Sequence, residues 1–334
     1  MPDRAAARLA LLQHAGWGDA TASFLAGDAS ERTYERLQGQ HGTAVLMNAP
    51  PGMGDDPQTF LNVAAHLQKL GLSAPRLIAQ DARAGFLLLE DFGDAVFARV
   101  LKAQPEQEAT LYAAATQALV YLQSYPPMAG LPALEPQDWA RAAGFALHHY
   151  RAAVTDDPVD DAAFTQCLAD LIAGQDIGPK VMILRDFHAE NLIWLPDRKG
   201  AARAGLLDFQ LAQMGHPVYD VTSLLQDARR DVQPHTAQAV QRQFCTATGL
   251  SGAAFQTASA VWGAQRALRI LGIFARLALQ SGKTGYLVLI PRIWGHLQTC
   301  LHHPALHAFQ QICAALLPPP SPAILFAIRQ KAGG

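Results

Sequence analysis

The extended runs of this chain crowd into its beginning, and that segregation limits the possible fold more than any other feature. Three short β-type runs, 22–25, 33–37 and 43–47, lie close together, with Gly27-Asp28-Ala29-Ser30 and the stretch 38–42 as turns between them. Pro50, Pro51, Gly52 and Gly54 then break the chain. Asp55 or Asp56 can cap a helix that begins near Pro57 and carries Phe60, Leu61, Ala64, Ala65 and Leu67 on its apolar face. A buried strand over 86–89 runs into Glu90-Asp91-Phe92-Gly93-Asp94. Beyond it helical periodicity dominates, over about 105–123, 138–152, 160–174, 217–230, 236–248, 254–281 and 284–302. Only three β-like runs interrupt it, 181–184 with 192–195, and 204–207. The pattern predicts an α+β chain with a small β-rich N-terminal lobe, residues 1–91. A large helical C-terminal lobe, residues 92–334, would carry a β-hairpin.

Composition narrows the setting. Half of the 334 residues are apolar and 16% are charged, which excludes a disordered chain. No apolar run reaches the roughly 18 residues of a membrane span. The nearest, 268–279, is interrupted by Arg269 and Arg276. With Asp3 in the opening segment and a short helix over 5–12, no leader is expected, and the cytoplasm is the expected compartment. Cys167, Cys245, Cys300 and Cys313 lack any CxxC spacing, so they read as free thiols of a reducing cytosol. All 28 acidic residues fall within 1–231, while the last 103 residues hold eight basic residues and no carboxylate. Those eight are spread among apolar helices and form no run, so a nucleic-acid partner is not indicated. An anionic small molecule suits them.

The chemistry lies in two short stretches. Leu184-Arg185-Asp186-Phe187-His188-Ala189-Glu190-Asn191 sets an Asp and an Asn five residues apart between strand-like runs, and Leu206-Leu207-Asp208-Phe209 follows. Phosphoryl transfer needs these residue types in this order. Oxygen ligands hold Mg²⁺ against the phosphates of ATP, and one further carboxylate orients and deprotonates the acceptor hydroxyl. Asp186 is the candidate base, and Asn191 and Asp208 are the candidate metal ligands. Either stretch alone is a weak signal, since Asp and Asn favour turns for their own backbone bonding.

Together these residues resemble the aminoglycoside phosphotransferase/choline kinase superfamily, whose loop also carries a His two residues after the catalytic Asp, as His188 does here. The resemblance is nearest to the anomeric sugar kinases of bacterial cell-wall recycling, which act on N-acetylmuramate and N-acetylglucosamine. It is carried by Gly27–Ser30 with Arg32, Tyr34 and Arg36, and by Met47 with Ala49-Pro50-Pro51. The stretches 85–94, 184–192, 207–210, 219–227 and 265–283 extend it over most of the chain. It implies a protein-kinase-like two-lobed fold, ATP as co-substrate with Mg²⁺, and phosphorylation of the sugar's C1 hydroxyl. Glu90, Asp91 and Phe92 would form the hinge that meets adenine, with Gly27, Asp28, Ala29, Ser30, Arg32 and Arg36 near the phosphates. Asp220 would brace the catalytic loop through backbone N–H groups, with a helix N-cap as the other reading, and His188 would be structural. Asp227, Arg229, Gln265, Arg266, Arg269 and Lys283 are the candidates for the acceptor, Arg269 as a clamp on a sugar carboxylate.

Several departures bear on this. Gln210 stands where protein kinases carry the Gly of Asp-Phe-Gly. Glu31, Thr33 and Glu35 stand where aromatic or basic residues are expected. Met47 occupies the place of the phosphate-pairing Lys, and no lysine precedes Lys69. Either Arg32 or Arg36 substitutes for it, or Mg²⁺ and the Gly27–Ser30 backbone serve alone. An O-phosphotransferase for an antibiotic or amino alcohol, and a silent nucleotide-binding pseudokinase, are the competing readings. Gly282-Lys283-Thr284 is no phosphate loop, because Leu277 takes the required first Gly position.

Overall fold

The structure, a computed structural model, describes residues 4–27, 32–52, 56–155, 157–175 and 178–332. By contacts the chain divides into two units, residues 1–129 with 189–212 and residues 130–188 with 213–334.

The first unit is built on five strands, β1 (Thr21–Gly27), β2 (Thr33–Gly39), β3 (Gly42–Asn48), β4 (Leu77–Asp81) and β5 (Phe86–Glu90), in the order β1-β2-β3-β5-β4. Every neighbouring pair is antiparallel. Leu37, Ala44, Leu46, Phe86 and Leu88 pack with Trp17 and with Leu11 and Leu12 of helix α1 (Arg4–His14). Side chains alternate along a strand, so Val45, Met47, Leu87 and Leu89 fall on the opposite face. Both faces of β5 are thereby covered, which is why Phe86–Leu89 reads as an unbroken apolar run. Helix α2 (Pro57–Lys69) starts at Asp56, whose carboxylate accepts the Gln58 N–H at 2.9 Å. It buries Phe60, Val63, Ala64 and Leu67, leaving Ala65 exposed where an apolar-face position was expected. Gly85 closes the β4–β5 turn at φ 74°, and a Cβ there would lie 1.9 Å from the Ala49 carbonyl oxygen.

Strand β4 is not expected from the sequence. It lies at the sheet edge with Leu77 and Ile78 exposed and a register shift between Leu77 and Ala79, so no inward–outward alternation marks it. Helices α3 (Phe97–Ala103) and α4 (Glu108–Gln123) complete this unit, with a two-stranded ladder of Leu192–Trp194 and Ala204–Leu206. That ladder is tied in by the Leu206 N–H donating to Ser73 O at 2.7 Å and the Trp194 N–H to Ala95 O at 2.8 Å. These bonds are why the compact grouping differs from a cut at residue 91.

The second unit is helical: α5 (Pro136–Ala143), α6 (Ala162–Ala173), α7 (Val218–Leu225), α8 (Pro234–Thr248), α9 (Gly252–Ser281), α10 (Ile290–Leu301), α11 (His307–Leu316) and α12 (Pro322–Lys331). Helix α9 is 30 residues long and packs against α5, α7 and α10. Ser251 caps its start by accepting the Ala254 N–H, and Gly282 ends it in the left-handed region. The helix expected over 138–152 breaks into α5 and a π-helical turn, Ala146–Arg151. Gly272 lets that segment approach, since a Cβ there would lie 2.2 Å from the Phe145 carbonyl carbon. The strand Val181–Ile183 does not pair with 192–195 as expected; its partner is Gln213–Gly215. The helix expected over 217–230 ends at Leu225, and in the one expected over 284–302 regular α-helix starts only at Ile290.

Candidate functional site

The sheet-bearing unit contains a cavity of about 360 Å³. Leu25, Tyr34, Arg36 and Val45 line it from the sheet, Glu90, Asp91 and Phe92 from the segment after β5, and Asn191 and Asp208 from the 189–212 segment. The expected hinge and the expected metal ligands thus share one cavity. Leu89, Ile193 and Leu207 add apolar walls suited to a flat ring.

The segment 90–94 is held by charges. Glu90 accepts from Arg76 Nε at 3.0 Å and from Arg198 Nη2 at 2.8 Å. Arg198 also donates to the Ser73 hydroxyl at 2.7 Å and lies over the Phe92 ring at 4.8 Å. Asp91 takes the Arg36 Nε at 2.7 Å and the Gly93 N–H at 2.9 Å, and Asp94 takes Arg36 Nη1 at 2.8 Å. The Arg36 guanidinium is therefore committed to two carboxylates inside the cavity, which offset its burial and hold it above its ordinary value. It has little charge left to offer a phosphate. Arg32, the other candidate, is 1% exposed and immediately precedes β2. Gly27 ends β1, and Asp28, Ala29 and Ser30 lie outside the described residues.

Two bonds tie Asn191 to the segment 207–208. The Leu207 N–H donates to Asn191 O at 3.0 Å, and the Asn191 amide donates to Asp208 Oδ2 at 3.3 Å. The Gln210 amide donates to Asp208 Oδ1 at 2.7 Å, which gives the residue in place of the usual Gly a job in orienting the carboxylate. Asp208 adopts φ 56°, a region that Asp tolerates and that recurs at functional sites. Phe209 stacks on Phe60 of α2 at 4.9 Å and 17°. The donors offered are oxygens, and no group of three or more His, Cys, Asp or Glu stands ready for a metal among the described residues. Two protein oxygen donors fit Mg²⁺, which keeps water and takes phosphate oxygens rather than filling a protein cage.

Met47 is fully buried on the cavity-side face of β3. In protein kinases the Lys at this place pairs with a Glu on the helix that follows. Here α2 carries no Asp or Glu at all, so neither member of that ion pair is present. The sequence carried this signal in the absence of any carboxylate between 57 and 69.

The second unit holds Asp186. The Asp186 N–H donates to Leu184 O at 2.9 Å across Arg185, whose φ is 72°. That is a γ-turn of the rare, strained hand. Asp220, fully buried in α7, accepts the Leu184 and Arg185 N–H groups at 2.6 and 2.9 Å and so pins the turn. Its carboxylate is spent on this loop and not on the N-terminus of its own helix. Burial pushes the Asp220 carboxyl up to about 7, against the pull of the two donors. Burial also draws the half-buried His188 imidazole below its ordinary value, with Asp227 and Asp186 opposing.

The acceptor candidates separate. Asp227 is 2% exposed; its Oδ1 accepts the backbone N–H of exposed Arg229 at 2.8 Å, and its Oδ2 has no hydrogen-bond partner among the described residues. Gln265 is buried and donates to Trp139 O at 3.0 Å. Arg266 is buried, with Nη2 on the Ser223 hydroxyl at 2.5 Å and the guanidinium 5.7 Å from the Tyr219 ring centre. Both therefore brace the interior. Arg269 Nη2 stands 3.9 Å from Asp186 Oδ1. Burial works to lower the Arg269 guanidinium, but Tyr219 and Asp186 outweigh it and hold it above its ordinary value. Lys283 follows the end of α9, about 21 Å along the helix axis from Arg269, and does not join this group.

The N-acetylmuramate/N-acetylglucosamine kinase of Caulobacter vibrioides is 36% identical to this chain, over 91% of it and 94% of the relative. The protein of the same name from Pseudomonas aeruginosa is 32% identical, over 90% and 91%. A solved choline/ethanolamine kinase family protein from Mesorhizobium loti shares the fold, with a TM-score of 0.64 at 14% identity over 98% of this chain and 100% of that one. No helix among the described residues is long and apolar enough to cross a membrane. The phosphotransferase enzyme family (APH) matches residues 21–255, well over half of the sequence, and the chain belongs to that family.

Proposed function

We propose that this protein is an ATP-dependent kinase for the anomeric C1 hydroxyl of an N-acetylated amino sugar, N-acetylmuramate or N-acetylglucosamine. The observation that carries the reading is the cavity that joins the segment 90–92 to the Asn191–Asp208 oxygen pair. The names of the relatives at 36% and 32% identity support the sugar as acceptor. A polycationic antibiotic or an amino alcohol suits the chain less well, because its last 103 residues offer no carboxylate to an ammonium group. The presence of Asp186, Asn191 and Asp208 together argues against a silent binding module. ATP as donor fits a cytoplasmic reaction.

In this reading the backbone of Glu90–Phe92 receives adenine between Val45, Leu89 and Leu207. Mg²⁺ would be held by Asn191 and Asp208 and would neutralise charge on the nucleotide phosphates. Gln210 keeps the Asp208 carboxylate turned for that task. Asp186 takes the proton of the C1 hydroxyl. The freed oxygen bonds to the γ-phosphorus as the bond to the β-phosphate oxygen breaks, and ADP leaves with that electron pair. Asp220 keeps Asp186 in place through the pinned turn. Asp227 offers its unmatched carboxylate oxygen to a sugar hydroxyl.

The test is ADP formation with N-acetylmuramate, N-acetylglucosamine, choline and kanamycin, with product identity read by phosphorus NMR. Both sugars are expected to yield the C1 phosphate, and Asp186→Asn to lower kcat by roughly 10²–10⁴-fold while nucleotide binding persists. A preference for kanamycin or choline, or turnover by Asp186→Asn equal to wild type, would overturn the reading.

A further inference from the structure

Asp186 Oδ1 and Arg269 Nη2 stand 3.9 Å apart, too far for a direct hydrogen bond and close enough for ionic attraction. A carboxylate and a guanidinium opposed at this spacing leave room for one hydroxyl oxygen to bond to both. It donates its proton to the carboxylate and accepts an N–H from the guanidinium. Arg269 is fit to wait there. Its side chain is 11% exposed, it projects from the 30-residue α9, and Tyr219 supports its charge. Arg266, one turn away, does not compete for the place, because its guanidinium is turned to Ser223 and Tyr219.

Resting on the sugar-kinase reading above, we propose that Arg269 is a second catalytic residue, which binds the acceptor's C1 oxygen opposite Asp186 and stabilises the negative charge that oxygen gains. The O–H bond breaks with its proton passing to Asp186, and the oxygen's electron pair forms the new bond to the γ-phosphorus as the bond to the β-phosphate oxygen breaks and ADP leaves with that pair. Charge grows on the oxygen between these events, and a donor already aimed at it acts with little reorganisation. The role differs from the clamp on a sugar carboxylate expected from the sequence. The lactyl group of N-acetylmuramate hangs from O3, two ring carbons from C1, whereas Arg269 stands at the base itself.

The two roles part in the choice of sugar. Arg269→Gln is expected to lower kcat by roughly 10²–10³-fold for N-acetylglucosamine and N-acetylmuramate alike, with the KM for ATP little changed. Guanidinium ion added to Arg269→Ala is expected to restore part of the lost rate on both sugars. A loss confined to N-acetylmuramate, or a kcat within about threefold of wild type on both sugars, overturns the proposal. Should the truncated variants fail to fold, Arg269→Lys carries the test. It keeps the charge without the fork, so an equal loss of about tenfold or more on both sugars is expected, and a wild-type rate or a sugar-selective loss overturns the role. A wild-type protein that phosphorylates neither sugar refutes the functional reading instead, and the Arg269 variants are then compared on the acceptor it does use.

Discussion

Asp220→Asn separates the stability of the fold from the placement of Asp186, the proposed base. Asp220 is fully buried and accepts the Leu184 and Arg185 N–H groups at 2.6 and 2.9 Å, and burial pushes its carboxyl from 3.8 to about 7. A shift of that size corresponds to roughly 4 kcal/mol set against the ionised form. The folded state holds this proton more tightly than the unfolded chain does. Its contribution to stability is therefore complete below about pH 3.8 and is lost as pH rises through about 7. Asparagine cannot ionise and escapes that loss. Its amide can accept only one of the two N–H groups, and the one left unpaired costs about 1–3 kcal/mol. Relative to wild type, the variant is thus expected to gain up to roughly 4 kcal/mol between pH 4 and pH 8, and to match or exceed wild-type stability at pH 8. Activity moves the other way. With one N–H released the strained turn at Arg185 relaxes, and a displacement of Asp186 by about 1 Å lowers kcat by roughly 10²-fold. Urea unfolding at pH 4, 6 and 8, amide exchange at Leu184 and Arg185, and steady-state kinetics measure the three effects. A kcat within about threefold of wild type would refute the brace. A stability difference that does not change between pH 4 and 8 would refute the burial argument.

Two further outcomes follow from single contacts. Gln210→Gly removes the 2.7 Å donor to Asp208 Oδ1, so the Mg²⁺ concentration for half-maximal rate is expected to rise by about tenfold, and an unchanged Mg²⁺ titration would show that Gln210 does not orient the carboxylate. Gly272→Ala places a methyl 2.2 Å from the Phe145 carbonyl carbon, and a loss of about 1–3 kcal/mol in urea unfolding is expected, whereas wild-type stability would mean that α9 shifts freely against the π-helical turn.

Asp186, Asn191 and Asp208 are the candidates that reading alone supplies, because each lies beside an apolar run and the chemistry of a hard cation and a hydroxyl admits few residue types. The sheet was partly legible for the same local reason. Strands β2 and β3 are bounded by turn residues and β3 carries an apolar run over 44–47, whereas β4 exposes Leu77 and Ile78 at an edge and has no alternation to read. Partners were not legible. Val181–Ile183 pairs with Gln213–Gly215, some thirty residues on, although a nearer β-like run was available. The arginines show the limit most plainly. Periodicity marks Arg266 and Arg269 as neighbours on one face of α9, yet Arg266 is drawn to Ser223, 43 residues away, and Arg269 stands beside Asp186. Arg36, read as a phosphate contact, is engaged by Asp91 and Asp94, more than fifty residues away. Hydrophobic period tells a side chain which way to face. What it meets there depends on which distant segment the packing brings opposite, and for a charged group that partner decides its role.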